Sequence, residues 1–459
     1  MAKLNIPRPT VYTHEGAVAS HINPELQLRR SVLSCLLWEN SFYEDGQSIA
    51  QRIIETVPLV SPEKVSSLAT EARTKMKLRH VPLLLARAMA ALPTHRHLVS
   101  DTLFSIIQRP DELSEFLAIY WNDNPNKKVI SAQVKKGLAK AFTKFNEYQL
   151  AKWNRDGAIR LRDVLFLCHA KPISPEQDAL WKRLINNELT TPDTWEVELS
   201  ASKNKKESWE RLLIENKLGA LALLRNIRNI QEAGIETGLL RAAITRLNPE
   251  RVLPFRFISA SRFAPVLEPE LEVTMFKCLN GKEKIPGKTV LLVDVSGSMN
   301  DHLSAKSQMT RMDAACGLAV LARELCQEVE IYTFSNYLAQ VPNRRGFALR
   351  DAIIQSQPHS GTSLGLAINS LDKTKFNRII VFTDEQSHDS VSAPPAPGYI
   401  INVANYKNGV GYGNWTHIDG FSEAVLDYIL ESEKLTQTHF ANEMLGYIAG
   451  REGSSLVNL

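Results

Sequence analysis

The amino-acid sequence predicts a protein of two parts, a long all-α array followed by an α/β domain with a doubly wound sheet. Amphipathic helical segments fill the chain up to about residue 270, and nothing in that half alternates like a strand. After residue 285, short apolar runs alternate with helical segments, which is the pattern of parallel strands joined by helices. The length of 459 residues agrees with this division, because one ordinary core rarely serves so long a chain.

The first part, residues 1–270, contains about a dozen amphipathic segments with short connections. Several begin with a hydroxyl N-cap followed by proline, as at Ser61-Pro62 and Ser174-Pro175. Since no fixed-period repeat is present, we expect a divergent array of helix pairs of the α-solenoid kind. The predicted helices span residues 24–38, 46–57, 61–76, 81–92, 97–108, 111–120, 131–146, 160–168, 175–186, 208–215, 219–233 and 236–247.

The second part, residues 285–432, alternates strands and helices. Strands are predicted at residues 290–293, 328–334, 378–383 and 398–403, and helices at 304–326, 351–355, 364–371 and 421–430. Residues 433–459 remain as a tail, in which we expect one helix at 440–448. This order defines an open sheet whose ligands bind at the carboxyl ends of the strands.

Oxygen-bearing side chains follow the first of these strands. Asp294, Ser296 and Ser298 alternate along one loop, Thr362 lies in a polar loop between helices, and Asp384 ends a second apolar strand. Hard divalent cations prefer such oxygen ligands, and this set suits Mg²⁺, with Mn²⁺ or Ca²⁺ as alternatives. Asp-x-Ser-x-Ser alone is equally typical of a capped strand-to-helix turn. The order of all five residues resembles a von Willebrand factor A domain with a complete metal-ion-dependent adhesion site.

Composition indicates a globular protein that functions in the cytoplasm. Hydrophobic residues make up 44% of the chain, and its most apolar stretches are too short to cross a bilayer. The five cysteines lack paired spacing, so we expect reduced core thiols. The start of the chain lacks the apolar core of a signal peptide.

The net charge of +4 is unevenly distributed. Residues 127–183 contain 13 Lys and Arg against 5 Asp and Glu, and three lysines recur at every fourth position of one predicted helix. A solvated helix face is the ordinary explanation; a phosphate-bearing partner is the other. The candidate phosphate-contacting residues of this stretch are Lys135, Lys136, Lys140, Lys144, Lys152, Arg155, Arg160, Arg162 and Lys171.

Short sequence motifs in the helical half show a further resemblance. Thr13-His-Glu-Gly16, Arg155-Asp-Gly157 and the segment from Arg162 to Pro172 resemble the TROVE module of the Ro autoantigen family. The resemblance, over residues 10–432, implies HEAT-like helical repeats closed into a ring, with the A domain completing it. It also implies that the anionic partner is RNA, that His169, Lys171 and Lys152 lie on the RNA-binding surface, and that Arg30 lies near the ring opening, where an ordinary helix-surface arginine is the alternative. A lone histidine at a helix end is otherwise more often structural.

The resemblance implies a monomeric RNA-binding protein without catalysis. Family members bind small noncoding Y RNA on the outer face of the ring and single-stranded 3′ ends of misfolded RNAs in its central hole. An exoribonuclease tethered through the RNA and an acidic protein ligand at the metal are implied partners. The alternative is a metal-dependent protein-binding module on a helical scaffold. A hydrolase using Asp294 and Asp384 is disfavoured, because no Walker loop, nucleophile elbow or zinc motif accompanies them.

Overall fold

The chain forms two compact units in the computed structural model, Asn23–Cys278 and Leu279–Leu459 together with Met1–Ile22. The division falls at residue 278, between the predicted limits of 270 and 285, and residues 1–22 group with the second unit. The structure describes residues 11–12, 18–19, 24–33, 46–122, 129–249, 252, 254–303, 309–372, 375–384, 387–403, 415–419 and 425–434. No described helix is long and apolar enough to cross a membrane.

The first unit is helical. Its helices are α1 (Pro24–Leu33), α2 (Gly46–Thr56), α3 (Pro62–Thr74), α4 (His80–Ala91), α5 (Val99–Ile106), α6 (Asp111–Tyr120), α7 (Ala132–Phe142), α8 (Glu147–Trp153), α9 (Leu161–Cys168), α10 (Pro175–Asn186), α11 (Trp195–Ala201), α12 (Lys205–Ile214), α13 (Ala220–Glu232), α14 (Thr237–Thr245), α15 (Phe255–Phe263) and α16 (Glu268–Lys277). All twelve predicted helices of this half have a counterpart among them. The short strands β1 (Val11–Tyr12) and β2 (Val18–Ala19) pair antiparallel, so the expectation of no strand in this half is wrong.

Two differences from the predicted helices have local causes. The segment predicted as one helix at 131–146 ends at Phe142, and a new helix starts after Asn146. The side chain of Asn146 accepts from the backbone N–H of Gln149, which returns the bond, and this capping box starts α8. Helices α11, α15 and α16 were not predicted, although Thr194 caps α11 through the N–H of Val197.

Helices pack on their next-but-one neighbours as well as on adjacent ones. Contacts join α3 to α5, α5 to α7, α7 to α9, α12 to α14 and α14 to α16. This alternation is what a stacked array of helix pairs requires. At Gly137 of α7, an added Cβ would lie 2.9 Å from the Cβ of Leu103 in α5. The small residue therefore allows α5 and α7 to approach closely.

The second unit contains a six-stranded sheet. Its strands are β3 (Ile285–Asp294), β4 (Cys326–Phe334), β5 (Leu338–Gln340), β6 (Arg378–Thr383), β7 (Gly398–Asn402) and β8 (Thr416–Asp419), in the order β5-β4-β3-β6-β7-β8. All neighbours pair parallel except β4 and β5. Its helices are α17 (Arg311–Leu325), α18 (Gly346–Ile354), α19 (Leu364–Asn369) and α20 (residues 425–434).

The four predicted strands are confirmed, and β5 and β8 are additions too short to show a period. Helix α17 begins at Arg311, not at residue 304, because Thr310 forms a capping box with Asp313. Residues 304–308 and the expected helix at 440–448 lie outside the described residues. Strands β3 and β6 are neighbours with Val293 opposite Phe382. Their carboxyl ends therefore meet at one edge of the sheet, where Asp294 and Asp384 lie.

Candidate metal centre and candidate RNA interface

The loop after β3 folds around the carboxylate of Asp294. The backbone N–H of Ser296 donates to its Oδ1 (2.9 Å), and the hydroxyl of Thr383 donates to its Oδ2 (2.6 Å). The hydroxyl oxygens of Ser296 and Ser298 lie 3.3 Å apart. One loop thus presents a carboxylate and two hydroxyls together, as the alternating sequence predicted.

Two further segments bring Thr362 and Asp384 to this loop. The N–H of Gly297 donates to the carbonyl of Ser360 (2.9 Å), which holds the loop of Thr362 beside it. One nitrogen of Arg311, Nη1, donates both to Asp384 Oδ2 (3.0 Å) and to the carbonyl of Ser298 (3.1 Å). All five predicted metal-site residues therefore converge at the carboxyl edge of the sheet.

The two buried carboxylates of this site need positive charge to balance them. Asp294 and Asp384 are fully buried, and the pKa of Asp294 is raised to about 7, first by burial and then by the neighbouring charge of Asp384. The Oδ1 atom of Asp384 has no hydrogen-bond partner among the described residues. Arg311 offsets part of this negative charge. A hard divalent cation, held by two carboxylates and the surrounding hydroxyls, would balance the negative charge that remains.

Sequence reasoning missed three neighbours of this site, Arg311, Thr383 and His388. The loop of Thr362 is fixed through its backbone, because its N–H donates to His388 Nδ1 (3.2 Å) and its carbonyl accepts from the N–H of His388 (2.8 Å). Thr383 was recognisable as the residue before Asp384. No local pattern indicated Arg311 or His388. No described group of three His, Cys, Asp or Glu side chains could hold a metal.

The lysine stripe of α7 lies partly against a neighbouring helix. The ammonium of Lys140 pairs with Asp101 Oδ1 of α5 (2.9 Å), and that of Lys144 donates to the carbonyls of Phe104 and Ile107 at the end of α5. Partial desolvation lowers the pKa of Lys144. Lys144 therefore has a structural role as a cap on the last carbonyls of α5.

Other predicted basic residues lack such partners. No ion pair within the described segments involves Lys135, Lys136, His169 or Lys171. Lys136, His169 and Lys171 are exposed, and Lys135 acts electrostatically on Cys168 beside His169. His169 adopts a left-handed backbone (φ 54°), and its N–H bonds to the end of α9, so its position has a capping role. Its imidazole is nonetheless exposed.

The remaining predicted residues make weak surface pairs or lie elsewhere. Arg160 pairs with Asp156 (3.1 Å), Arg162 approaches its neighbour Asp163 (4.0 Å), and Lys152 approaches Glu196 (3.9 Å). Exposed pairs of this kind contribute little and are easily exchanged for a phosphate. Arg30 lies in α1, and its side chain falls outside the described part of the chain.

One aromatic ring, that of Trp153, lies among these cations. The guanidinium of Arg109 stacks 3.6 Å from the ring centre of Trp153, with Arg155 at 5.0 Å and Lys152 at 5.7 Å. Sequence reasoning did not select Arg109 or Trp153, since they are distant in the chain. The basic segment therefore contains aromatic surface that its charge pattern alone does not reveal.

Comparisons with known proteins identify the chain's relatives. A family model described as TROVE domain matches residues 182–280. Telomerase protein component 1 of Mus musculus is 38% identical over 89 residues, 18% of this chain and 3% of that protein. The Rattus norvegicus protein of the same name is 37% identical over 89 residues, again 18% and 3%. The match thus spans a small fraction of the length of these curated relatives.

The crystal structure of Deinococcus radiodurans RO (RSR) protein matches 89% of this chain and 98% of its own, with a TM-score of 0.62 and 16% identity. At this identity the match shows the fold, and it confirms the predicted class of a helical repeat unit with an α/β domain. The candidate RNA residues lie before the segment that the family model matches. A TROVE domain model thus matches residues 182–280, and the chain shares the fold of the RO (RSR) protein.

Proposed function

We propose that this protein binds noncoding RNA through the exposed basic surface of α7 to α9, without catalysis of its own. The match of residues 182–280 to a TROVE domain model is consistent with RNA binding. The observation that carries the proposal is that Lys135, Lys136 and Lys171 have no ion-pair partner among the described residues, and Arg155 meets only the ring of Trp153. Cations left unneutralised by the fold attract an anionic partner.

Phosphates would complete this surface. Each phosphate contact releases counterions, so affinity for duplex RNA should fall steeply as salt rises. The partner proposed is a Y-like RNA, together with single-stranded 3′ ends of structured or misfolded RNAs, in a cytoplasmic quality-control role. An exoribonuclease would be tethered through the RNA, since the chain itself offers no nuclease motif.

The test is to purify the protein from its host, sequence the RNA that accompanies it, and titrate that RNA against salt. A triple variant, Lys135→Ala, Lys136→Ala and Lys171→Ala, should reduce the slope of log K against log salt by about 2 to 3. The matched control is Lys206→Ala, an exposed lysine on α12 that approaches Glu210 (3.9 Å). An unchanged slope in the triple variant would contradict the proposal.

For the α/β unit we propose a divalent cation, Mg²⁺ before Mn²⁺ or Ca²⁺. Asp294 would hold the cation directly or through water, and Ser296 and Ser298 would hold it through their hydroxyls. Thr362 would be the mobile ligand, and Asp384 would act from outside the set of direct ligands. The burial of both carboxylates and the unpartnered Oδ1 of Asp384 support this assignment. Calorimetric titration with Mg²⁺ tests it, with Asp294→Asn as the variant that should not bind.

The same orphan oxygen favours a second candidate function, a metal-dependent protein-binding module. An acidic side chain of a protein ligand would complete the cation's coordination, and the helical unit would serve as scaffold. Two variants distinguish the two candidate functions. Asp294→Asn should leave RNA affinity unchanged and abolish capture of an acidic protein, whereas the lysine triple variant should do the reverse.

A further inference from the structure

The turn between α5 and α6, residues 107–110, is linked to two aromatic side chains by cations that lie over their rings. On one side, Phe104 of α5 is 40% exposed, with the ammonium groups of Lys144 and Lys140 at 4.7 and 5.9 Å from its ring centre. Lys144 also donates to the carbonyl of Ile107 in the turn itself. The phenyl ring thus presents an exposed aromatic surface beside two cations.

On the other side, Trp153 ends α8. The guanidinium that covers it at 3.6 Å belongs to Arg109 of the turn, and Asp111 fixes that guanidinium through Nε (3.0 Å to Oδ1). Arg155 stands 5.0 Å from the same ring, is exposed, and has no ion pair within the described residues. One cation at Trp153 is thus held in place, and a second is available to a ligand.

Aromatic rings set among phosphate-binding cations are the elements of single-strand recognition. Each base stacked on such a ring contributes about 1–3 kcal/mol, and the contact tolerates any sequence, because every base has a π face. Bases inside a duplex are stacked on one another and cannot reach the rings. The arrangement therefore selects for unpaired RNA.

We propose that Phe104 and Trp153 form a base-stacking site for an unpaired segment of RNA, with Lys140 and Arg155 on the flanking phosphates. The inference rests on the proposed RNA-binding function and specifies which form of RNA this surface takes. The competing explanation is structural: Arg109 and Trp153 would merely tie α8 to the turn.

The experiment measures binding of a fluorescein-labelled oligouridylate of about 12 nucleotides and of an RNA duplex of the same length, by anisotropy at several salt concentrations. Phe104→Ala and Trp153→Leu should each weaken oligouridylate binding about 5- to 100-fold and leave duplex binding within about twofold. Their salt slopes should equal that of the wild type, because every cation that meets a phosphate remains. Arg155→Ala should instead reduce the oligouridylate slope by about 0.7.

Two controls isolate the stacking contribution. Trp153→Phe keeps an aromatic face and should retain most of the affinity. Phe263→Ala removes a comparable aromatic–cation contact outside the basic segment, with Arg228 at 5.7 Å from the ring centre. This variant should bind oligouridylate and duplex with wild-type affinity.

Wild-type oligouridylate affinity in both Phe104→Ala and Trp153→Leu would overturn the inference while leaving RNA binding intact. Because Phe104 is exposed, its variant should fold even if Trp153→Leu does not, and it decides the question alone in that case. A wild-type protein that binds neither RNA overturns the proposed function itself. Equal losses for duplex and single strand would indicate a general structural disturbance of this surface and refute base stacking.

Discussion

Lys136 and Lys144 belong to the same lysine stripe of the helix predicted over residues 131–146, but the structure places Lys136 in α7 and Lys144 in the turn after it. The ammonium of Lys144 donates to the carbonyls of Phe104 and Ile107, whereas Lys136 is exposed with no described ion pair. Replacing each with methionine keeps the aliphatic chain and removes only the charge. The two variants should therefore fail in different assays.

The magnitude for Lys144→Met follows from the two interactions that its ammonium makes at the end of α5. A hydrogen bond from a charged group is worth about 1.5–3 kcal/mol, and a cation at a helix C-terminus about 0.3–1 kcal/mol. Solvent reaches this exposed residue and weakens both, so we expect the free energy of unfolding to fall by about 1–3 kcal/mol. Lys136→Met, as a surface change, should stay within about 0.5 kcal/mol of the wild type.

Urea unfolding and RNA anisotropy against salt measure the two effects separately. Lys136→Met should reduce the slope of log K against log salt by about 0.9 for duplex RNA, and Lys144→Met should leave it unchanged. If Lys144→Met retained full stability but had a reduced slope, the stripe would act as one RNA-binding face, and the capping argument would be refuted.

Four further predictions concern stability. Glu433→Gln should cost about 3–5 kcal/mol in urea unfolding, because it removes the bidentate partner (2.7 Å to each nitrogen) of the buried guanidinium of Arg378; a double change to Met and Leu should be far milder. Mg²⁺ should raise the melting temperature, and Asp294→Asn should abolish that rise. Without metal, the stability of the wild type relative to Asp294→Asn should fall as pH rises from about 4 to 7, because the unfolded carboxyl of Asp294 loses its proton near 3.8 and the folded one at about 7; a difference that rises over this window contradicts the argument. Gly137→Ala should lower stability by about 1–3 kcal/mol, since the new Cβ would lie 2.9 Å from that of Leu103, and an unchanged urea midpoint would show that α5 and α7 can separate freely.

Most elements were predictable because their signals are local. The apolar run before Asp294 marked β3, and the alternation after it marked the loop that carries the candidate metal-site residues. Hydroxyl caps such as Ser174 marked helix starts, and the side chain of Ser174 does accept from the N–H of Gln177. The end of α7 at Phe142 and the separate helix α8 after Asn146 were missed, because the local capping box at Asn146 was overlooked at the end of the helix predicted over residues 131–146.

The partners of charged residues were not predictable in this way. Asp101, which pairs with Lys140, lies 39 residues earlier, and Arg311, which pairs with Asp384, lies 73 residues earlier. Local periodicity shows on which face of a helix a residue lies, but not what that face meets. The charge excess in residues 127–183 was thus visible, while the residues within it that remain available to RNA were not.

The sequence by itself determined the order of helices and strands and the set of oxygen-bearing side chains on the β3 loop, because backbone hydrogen bonding, capping and strand-end geometry act within a few residues. Only the tertiary structure decided which charges are neutralised internally and which aromatic rings stand among cations. It joined Lys144 to the end of α5, Arg311 to Asp384, and Arg109 to Trp153. Those contacts depend on how distant helices and loops pack, which neither composition nor periodicity encodes.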